Sequence, residues 1–257
     1  MAESGRLAGS LFDAHFHIID PRFPLTPNQG YLPEPFSCED YRQQMSAYPL
    51  CGGVVVSGSF QGFDQGYLVR ALQTLGPGFV GVTQLSAQVQ DQALDRLHQA
   101  GVRGVRFNLF RGGSESVHEL DYFARRIHER LQWHVELYLS GETLAGLESR
   151  LNGLPALAID HLGLTDEGGS SLLRLAEKGV RVKACGFGRV DFPLESRLRD
   201  LNSANPECLM FGSDLPSTRA PRPFRDSDVT HIIDTLGDAA ALRVLCDNAR
   251  AFYRIGS

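Results

Sequence analysis

Eight short apolar or alternating runs recur along this 257-residue chain, and segments with helical spacing lie between them. The runs are Leu11 to Ile18, Gly52 to Gly58, Phe79 to Ser86, Val102 to Phe110, His134 to Ser140, Pro155 to Gly163, Val180 to Gly186 and Leu209 to Pro216. Asp91 to Ala100 places Leu94 and Leu97 on one helical face, and Val117 to Leu131 does so with Leu120, Phe123, Ile127 and Leu131; Ser171 to Lys178 and Ser196 to Leu201 are shorter helices. Gly101 and Gly179 stand where a helix stops and a strand begins. Repeated strand–helix alternation implies a parallel sheet, and eight units imply that the sheet closes on itself. The expected fold is therefore α/β, a single (β/α)8 TIM barrel, whose usual length of about 250 residues agrees. The chain is read as one domain over 1–257, with 1–10 a disordered N-terminal segment.

The remaining bulk features narrow the class. A net charge of −5 gives no basic stripe for a nucleic acid. No run approaches the roughly 18 apolar residues of a membrane span, and the first ten residues lack a signal-peptide core. The five cysteines, at 38, 51, 185, 208 and 246, are odd in number and never form a CxxC pair. They read as reduced thiols of a cytoplasmic protein. The expected partner is a small anionic substrate, with neither nucleic acid nor membrane, and the protein a monomer or homodimer.

Two loops break the alternation. Asp20 to Phe36 has prolines at 21, 24, 27, 33 and 35, which exclude helix and central strand, so it should overhang the mouth of the barrel after the first strand. Ser37, with Asp40 three residues on, then caps a helix. Pro216 to Ser227 follows the eighth strand and carries Arg219, Arg222 and Arg225.

Side chains alternate faces along a strand, so parity assigns the interior. In the first run Asp13, His15 and His17 share one face, opposite Phe12, Ala14, Phe16 and Ile18. A purely structural barrel fills its interior with Val, Ile and Leu, and three buried titratable groups need a compensating reason. A His-x-His pair by itself would also fit two hydrogen-bonded core histidines. The same rule turns Arg106 and Asn108 inward from the fourth strand, and His134, Glu136 and Tyr138 from the fifth. It also sets Arg181, Lys183 and Cys185 against Val180, Val182 and Ala184 in the seventh. Glu136 and Lys183 are read as a buried structural ion pair, since either charge alone would be costly there. His161 ends the sixth strand and Asp214 the eighth, both at the rim.

Together Asp13-Ala-His15-Phe-His17, Asp160-His161-Leu-Gly163, Gly212-Ser-Asp214 and Asn248-Ala-Arg-Ala-Phe-Tyr253 resemble the amidohydrolase superfamily. The branch most similar is the 2-pyrone-4,6-dicarboxylate lactonase group, and the resemblance covers nearly the whole chain. It implies that His15 and His17 match the first-strand pair, His161 the sixth-strand histidine and Asp214 the eighth-strand acid. It further implies that Tyr31, Ser57, Ser59, Arg106, Tyr138 and Arg189 hold substrate carboxylates, with Arg111 an imperfect match to a second arginine. The activity implied is hydrolysis of a small carboxylated lactone. Asp214 would activate water, and His15, His17 and His161 would hydrogen-bond to the carbonyl oxygen as negative charge develops.

A binuclear metal centre is not expected, because the fifth strand ends in Tyr138 and Ser140, poor ligands, and His134 lies too low. A single zinc on His15, His17 and Asp214, with or without His161, is the alternative to metal-free catalysis, the favoured reading. Three rivals keep the scaffold: a sugar-lactone hydrolase, a zinc-dependent decarboxylase of an aromatic or dienoic acid, and a non-catalytic small-acid binding protein.

Overall fold

The strands of the computed structural model, which describes residues 9–256, are β1 (Leu11–Phe16), β2 (Leu50–Val56), β3 (Phe79–Thr83), β4 (Val102–Asn108), β5 (His134–Tyr138), β6 (Leu157–Ile159), β7 (Arg181–Ala184) and β8 (Leu209–Phe211). They pair in sequence order, each parallel to the next, in one eight-stranded sheet. Parallel neighbours need a crossover, and helices supply them. The crossovers are α1 (Cys38–Gln44), α2 (Gly66–Leu75), α3 (Asp91–Gln99), α4 (Leu120–Leu131), α5 (Gly141–Leu151), α6 (Gly169–Glu177) and α7 (Leu194–Ala204), and α8 (Asp226–Leu236) follows the last strand. The single (β/α)8 barrel expected from the alternation is what the chain forms. Residues 1–8 lie outside the described residues, so the expected disordered segment at 1–10 is almost wholly outside them too.

Local chemistry explains the boundaries. Ser37 and Asp40 form a reciprocal capping box at the start of α1, the carboxylate accepting the Ser37 amide at 2.7 Å. Gly101 and Gly179 have φ of 101° and 97°, the left-handed region where a glycine ends a helix without strain. Helices α2, α5 and α8 bury Leu68 and Leu72, Leu144 and Leu151, and Ile232 and Ile233 respectively.

Two apolar layers result. The larger lies between strands and helices and includes Val105, Phe107, Val135, Leu137 and Val182, as parity required. The smaller fills the barrel floor with Val54, Val80, Val82, Ala158 and Met210, closed by Ala249 and Tyr253 of a final helix α9 (Asn248–Tyr253). Above that floor the interior turns polar. Glu136 and Lys183 form the buried pair expected, Nζ donating to Oε2 at 2.5 Å, and Tyr253 Oη donates to the other carboxylate oxygen at 2.5 Å.

One parity expectation fails. The β1–β2 register shifts between Asp13 and Phe16, so the alternation slips within the motif. His15 and His17 face inward, but Phe12 and Ala14 also belong to the floor layer, whereas Asp13 turns to the other face. There its carboxylate accepts from Tyr41 Oη (3.1 Å), the Ser213 amide (2.8 Å), Ser213 Oγ (2.6 Å) and the His15 amide (3.2 Å). Those contacts join β1 to the chain beyond β8. The seam is completed by the Asp214 amide on the His15 carbonyl and the His17 amide on the Leu215 carbonyl, both 2.7 Å. Among the described residues no helix is long and apolar enough to cross a membrane.

Candidate active site

The strand ends above the polar interior open into a cavity. Its wall includes His17, Tyr31, Ser59, Arg106, Tyr138, His161, Arg189 and Asp214 from the sequence-derived set, with Asn108, Arg111, Thr218 and Arg219 beside them. Four guanidiniums therefore face a single carboxylate, that of Asp214.

The imidazoles and the acid meet. His15 and His17 pack edge to face with ring centres 5.1 Å apart, and His161 lies 5.0 Å from His15. Asp214 Oδ1 is 3.9 Å from both His15 Nε2 and His17 Nε2. His161 and Asp214 reach these places through left-handed backbone, φ 52° and 60°, which ends β6 and β8 sooner than the apolar runs suggested. Non-glycine residues held there store strain of about 1–3 kcal/mol each, a mark of functional positions.

The three rings are not equivalent. Burial pushes the pKa of each below its ordinary value, well below for His17 and His161, which favours the neutral form of the rings. His17 Nδ1 lies 2.7 Å from the Val56 carbonyl, which can only accept. The ring hydrogen is thus on Nδ1, and Nε2 presents a lone pair to the cavity. The expectation that all three imidazoles donate to a carbonyl oxygen needs revision at His17, which is an acceptor. His161 Nδ1 is paired with the Cys185 thiol at 3.2 Å.

Of the expected carboxylate binders, Tyr31 and Ser59 line the cavity, and Tyr138 does so with its ring 4.8 Å from that of His161. Ser57 does not line it: its hydroxyl is spent on Tyr67 of α2 at 2.6 Å, and its carbonyl accepts from Arg106 Nη1 at 3.0 Å. Arg106 reaches the wall but is already braced by Asp160 Oδ2, 2.9 Å from both Nε and Nη2. Arg189 donates from Nε to Asp214 Oδ2 at 2.6 Å and from Nη2 to the Thr218 carbonyl at 2.7 Å. Its first partner is therefore the acid itself.

Three participants were not assigned roles from sequence. Asp160 sits wholly buried beneath the imidazoles. Burial works to raise its pKa, yet the Arg106 guanidinium above all, with Lys183 behind it, holds it well below the usual carboxylate range. Asn108 shared the inward parity of Arg106, so that signal was present; its Oδ1 accepts the Arg111 amide at 2.9 Å. Arg219 alone of the three loop arginines enters the cavity, stacked over Tyr31 at 4.3 Å and tied to Asn28. Arg222 is taken by Asp228, six residues on, at 2.8 Å, a pairing that charge spacing alone does not reveal.

The donor types suit one metal ion. Ligand atoms of His15, His17 and Asp214 lie within 4.8 Å of one another, as do those of His15, Asp160 and His161. His15 Nε2 and Asp214 Oδ1 are buried without a hydrogen-bond partner in the protein. Against a dication stands the guanidinium already 2.6 Å from the other Asp214 oxygen.

Residues 12–255 match the amidohydrolase family. Among curated proteins, a 2-pyrone-4,6-dicarboxylate hydrolase of Comamonas testosteroni is 32% identical over 170 residues, 63% of this chain and 54% of that one. The chain thus aligns with little more than half the length of that relative. A 4-sulfomuconolactone hydrolase of Rhizobium radiobacter is 26% identical over 268 residues, covering 94% of this chain and 89% of its own. A solved protein of Agrobacterium tumefaciens shares the fold, with a TM-score of 0.86 at 22% identity over 99% of both chains.

Proposed function

The chain belongs to the amidohydrolase family, and on that premise we propose that it hydrolyses the ester bond of a small lactone carrying carboxylates, of the 2-pyrone-4,6-dicarboxylate kind. The observation that carries this reading is the cavity wall, where Arg106, Arg111, Arg189 and Arg219 line one space with a single acid, Asp214. A guanidinium forks onto a carboxylate with two parallel bonds, so such a wall favours an anionic guest over a neutral polyol. Two relatives that act on anionic ring esters or lactones support the same class.

The proposed chemistry uses the inequivalence of the imidazoles. Asp214 Oδ1 and His17 Nε2 are both acceptors and lie 3.9 Å apart. A water donating one hydrogen to each turns its lone pairs toward the bound carbonyl. Asp214 takes the proton as the new C–O bond forms. The carbonyl oxygen gathers charge beside His15 and His161, where each preorganised donor is worth about 3–4 kcal/mol. As the ring C–O bond breaks, the proton returns from Asp214 to the departing oxygen, giving the open-chain hydroxy acid or its keto form. Arg189 holds Asp214 Oδ2 throughout and fixes which oxygen faces the water. A metal on His15, His17 and Asp214 would supply a Lewis acid for the carbonyl; the reading favoured here needs none.

The test is a substrate screen. Loss of pyrone absorbance with 2-pyrone-4,6-dicarboxylate, and slow or no turnover of uncharged sugar lactones, is the expected result. Preference for neutral sugar lactones would overturn the carboxylate assignment. Release of carbon dioxide from an aromatic or dienoic acid would place the chain among decarboxylases instead.

A further inference from the structure

Lys183 is fully buried on β7, and its ammonium has more neighbours than the Glu136 pair requires. Nζ lies 3.2 Å from His15 Nδ1 and 3.7 Å from Asp160 Oδ1. An ammonium carries hydrogens and no lone pair, so toward His15 it can only donate. A ring that accepts there leaves Nδ1 bare and carries its hydrogen on Nε2, the buried atom 3.9 Å from Asp214 Oδ1. The competing partner is Asp160 Oδ1, 3.4 Å from the same Nδ1. It would call for a hydrogen on Nδ1, but Asp160 is anchored through its other oxygen to Arg106, and that hydrogen would point into the ammonium.

We propose that Lys183 is a positioning residue that fixes the tautomer of His15, aiming Nε2–H at the substrate carbonyl and keeping that nitrogen from binding a metal. His17 and His15 thus turn opposite polarities toward Asp214: the Val56 carbonyl bares Nε2 of one, and the Lys183 ammonium leaves the hydrogen on Nε2 of the other. One is suited to receive a hydrogen from water and the other to give one to a carbonyl. The same hydrogen blocks a dication from sharing the two rings, because His15 must first move it to Nδ1 against the ammonium. The role of donor to substrate rests on the lactone reading; the tautomer and the metal exclusion do not.

The test reads the tautomer directly. Long-range ¹H–¹⁵N spectra of the ¹⁵N-labelled protein, with His15 and His17 assigned by the loss of signals in His15→Gln and His17→Gln, should show Nε2–H for His15 and Nδ1–H for His17. Nδ1–H at His15 in the unmodified protein overturns the proposal, as does tight zinc binding by that protein in a calorimetric titration. The double variant Lys183→Met/Glu136→Gln leaves no lone buried carboxylate at Glu136. There His15 should move to Nδ1–H against Asp160, and zinc should bind at least 100-fold more tightly. An unchanged His15 pattern and unchanged zinc affinity in the folded double variant also overturn it. Should that variant not fold, the spectrum of the unmodified protein decides alone. The expected tautomers without turnover of any pyrone would sink the lactone reading and leave the role of Lys183 standing.

Discussion

The carboxylate of Asp13 accepts both the amide and the hydroxyl of Ser213, at 2.8 and 2.6 Å, across 200 positions of sequence. Burial pushes its pKa up to about 6 against the pull of these donors and of Tyr41, so at pH 8 the group is an ionised acceptor. Asp13→Asn keeps the shape but turns an amide toward groups that donate. It should lower the unfolding free energy at pH 8 by about 3 kcal/mol, as expected for hydrogen bonds to a buried charge. Urea denaturation measures this, and a loss under about 1 kcal/mol would show that the seam closes without the clamp.

Arg219 enters the cavity from the loop after β8 and braces nothing in the catalytic floor. Arg219→Ala should raise KM for a dicarboxylate lactone at least tenfold and leave kcat within about twofold, the signature of lost uniform binding. Steady-state kinetics that show a fall in kcat with KM unchanged would place Arg219 in the chemical step instead.

Asp214→Asn removes the acceptor proposed to take the proton of water while keeping the fold of the strand end. Turnover should drop by about 100-fold or more, in the range for loss of a general base. Retention of more than a few per cent of the unmodified rate would assign the proton to another group, His17 being next in reach at 3.9 Å.

Metal removal separates the two forms of catalysis directly. Protein dialysed against a strong chelator should keep its full lactone-opening rate, and added zinc should not raise it. Activity lost on dialysis and restored only by zinc would convert the site to a metal centre on His15, His17 and Asp214.

Burial would raise the pKa of Glu136, but Lys183 and His134 bring it from 4.5 to about 2. The unfolded chain therefore takes up this proton first, and the stability it contributes is present above pH 4.5 and lost as pH falls toward 2. Acid titration of unfolding should show the unmodified protein losing about 2–3 kcal/mol more than Glu136→Gln over that window. Parallel acid curves for the two proteins would mean that the pair with Lys183 is not what holds the carboxylate ionised.

Much of this is legible in the sequence. Period-two alternation in β4, β5 and β7 placed Arg106, Tyr138, Glu136 and Lys183 inside, because an unbroken parallel strand keeps its faces. It misplaced Asp13, since a register slip leaves no mark in a six-residue strand whose two faces both end up buried. Ser57 and Ser59 resemble each other as residues, yet only one reaches the cavity, because a tyrosine of α2 captures the other. That competition depends on a helix packed from outside the barrel. The lone pair of His17 was hidden for a similar reason: it is fixed by a backbone carbonyl of the neighbouring strand, and side-chain identity does not encode it.

His161 and Asp214 both hold left-handed backbone that glycine would adopt without cost. Gly163 and Gly186 close by hold the same region of backbone without a side chain. If the proposed chemistry holds, an imidazole and a carboxylate at these positions set ease of folding against reactivity. Variants recovered for thermal endurance should be watched at these two positions, where a sturdier molecule and an inert one are the same molecule.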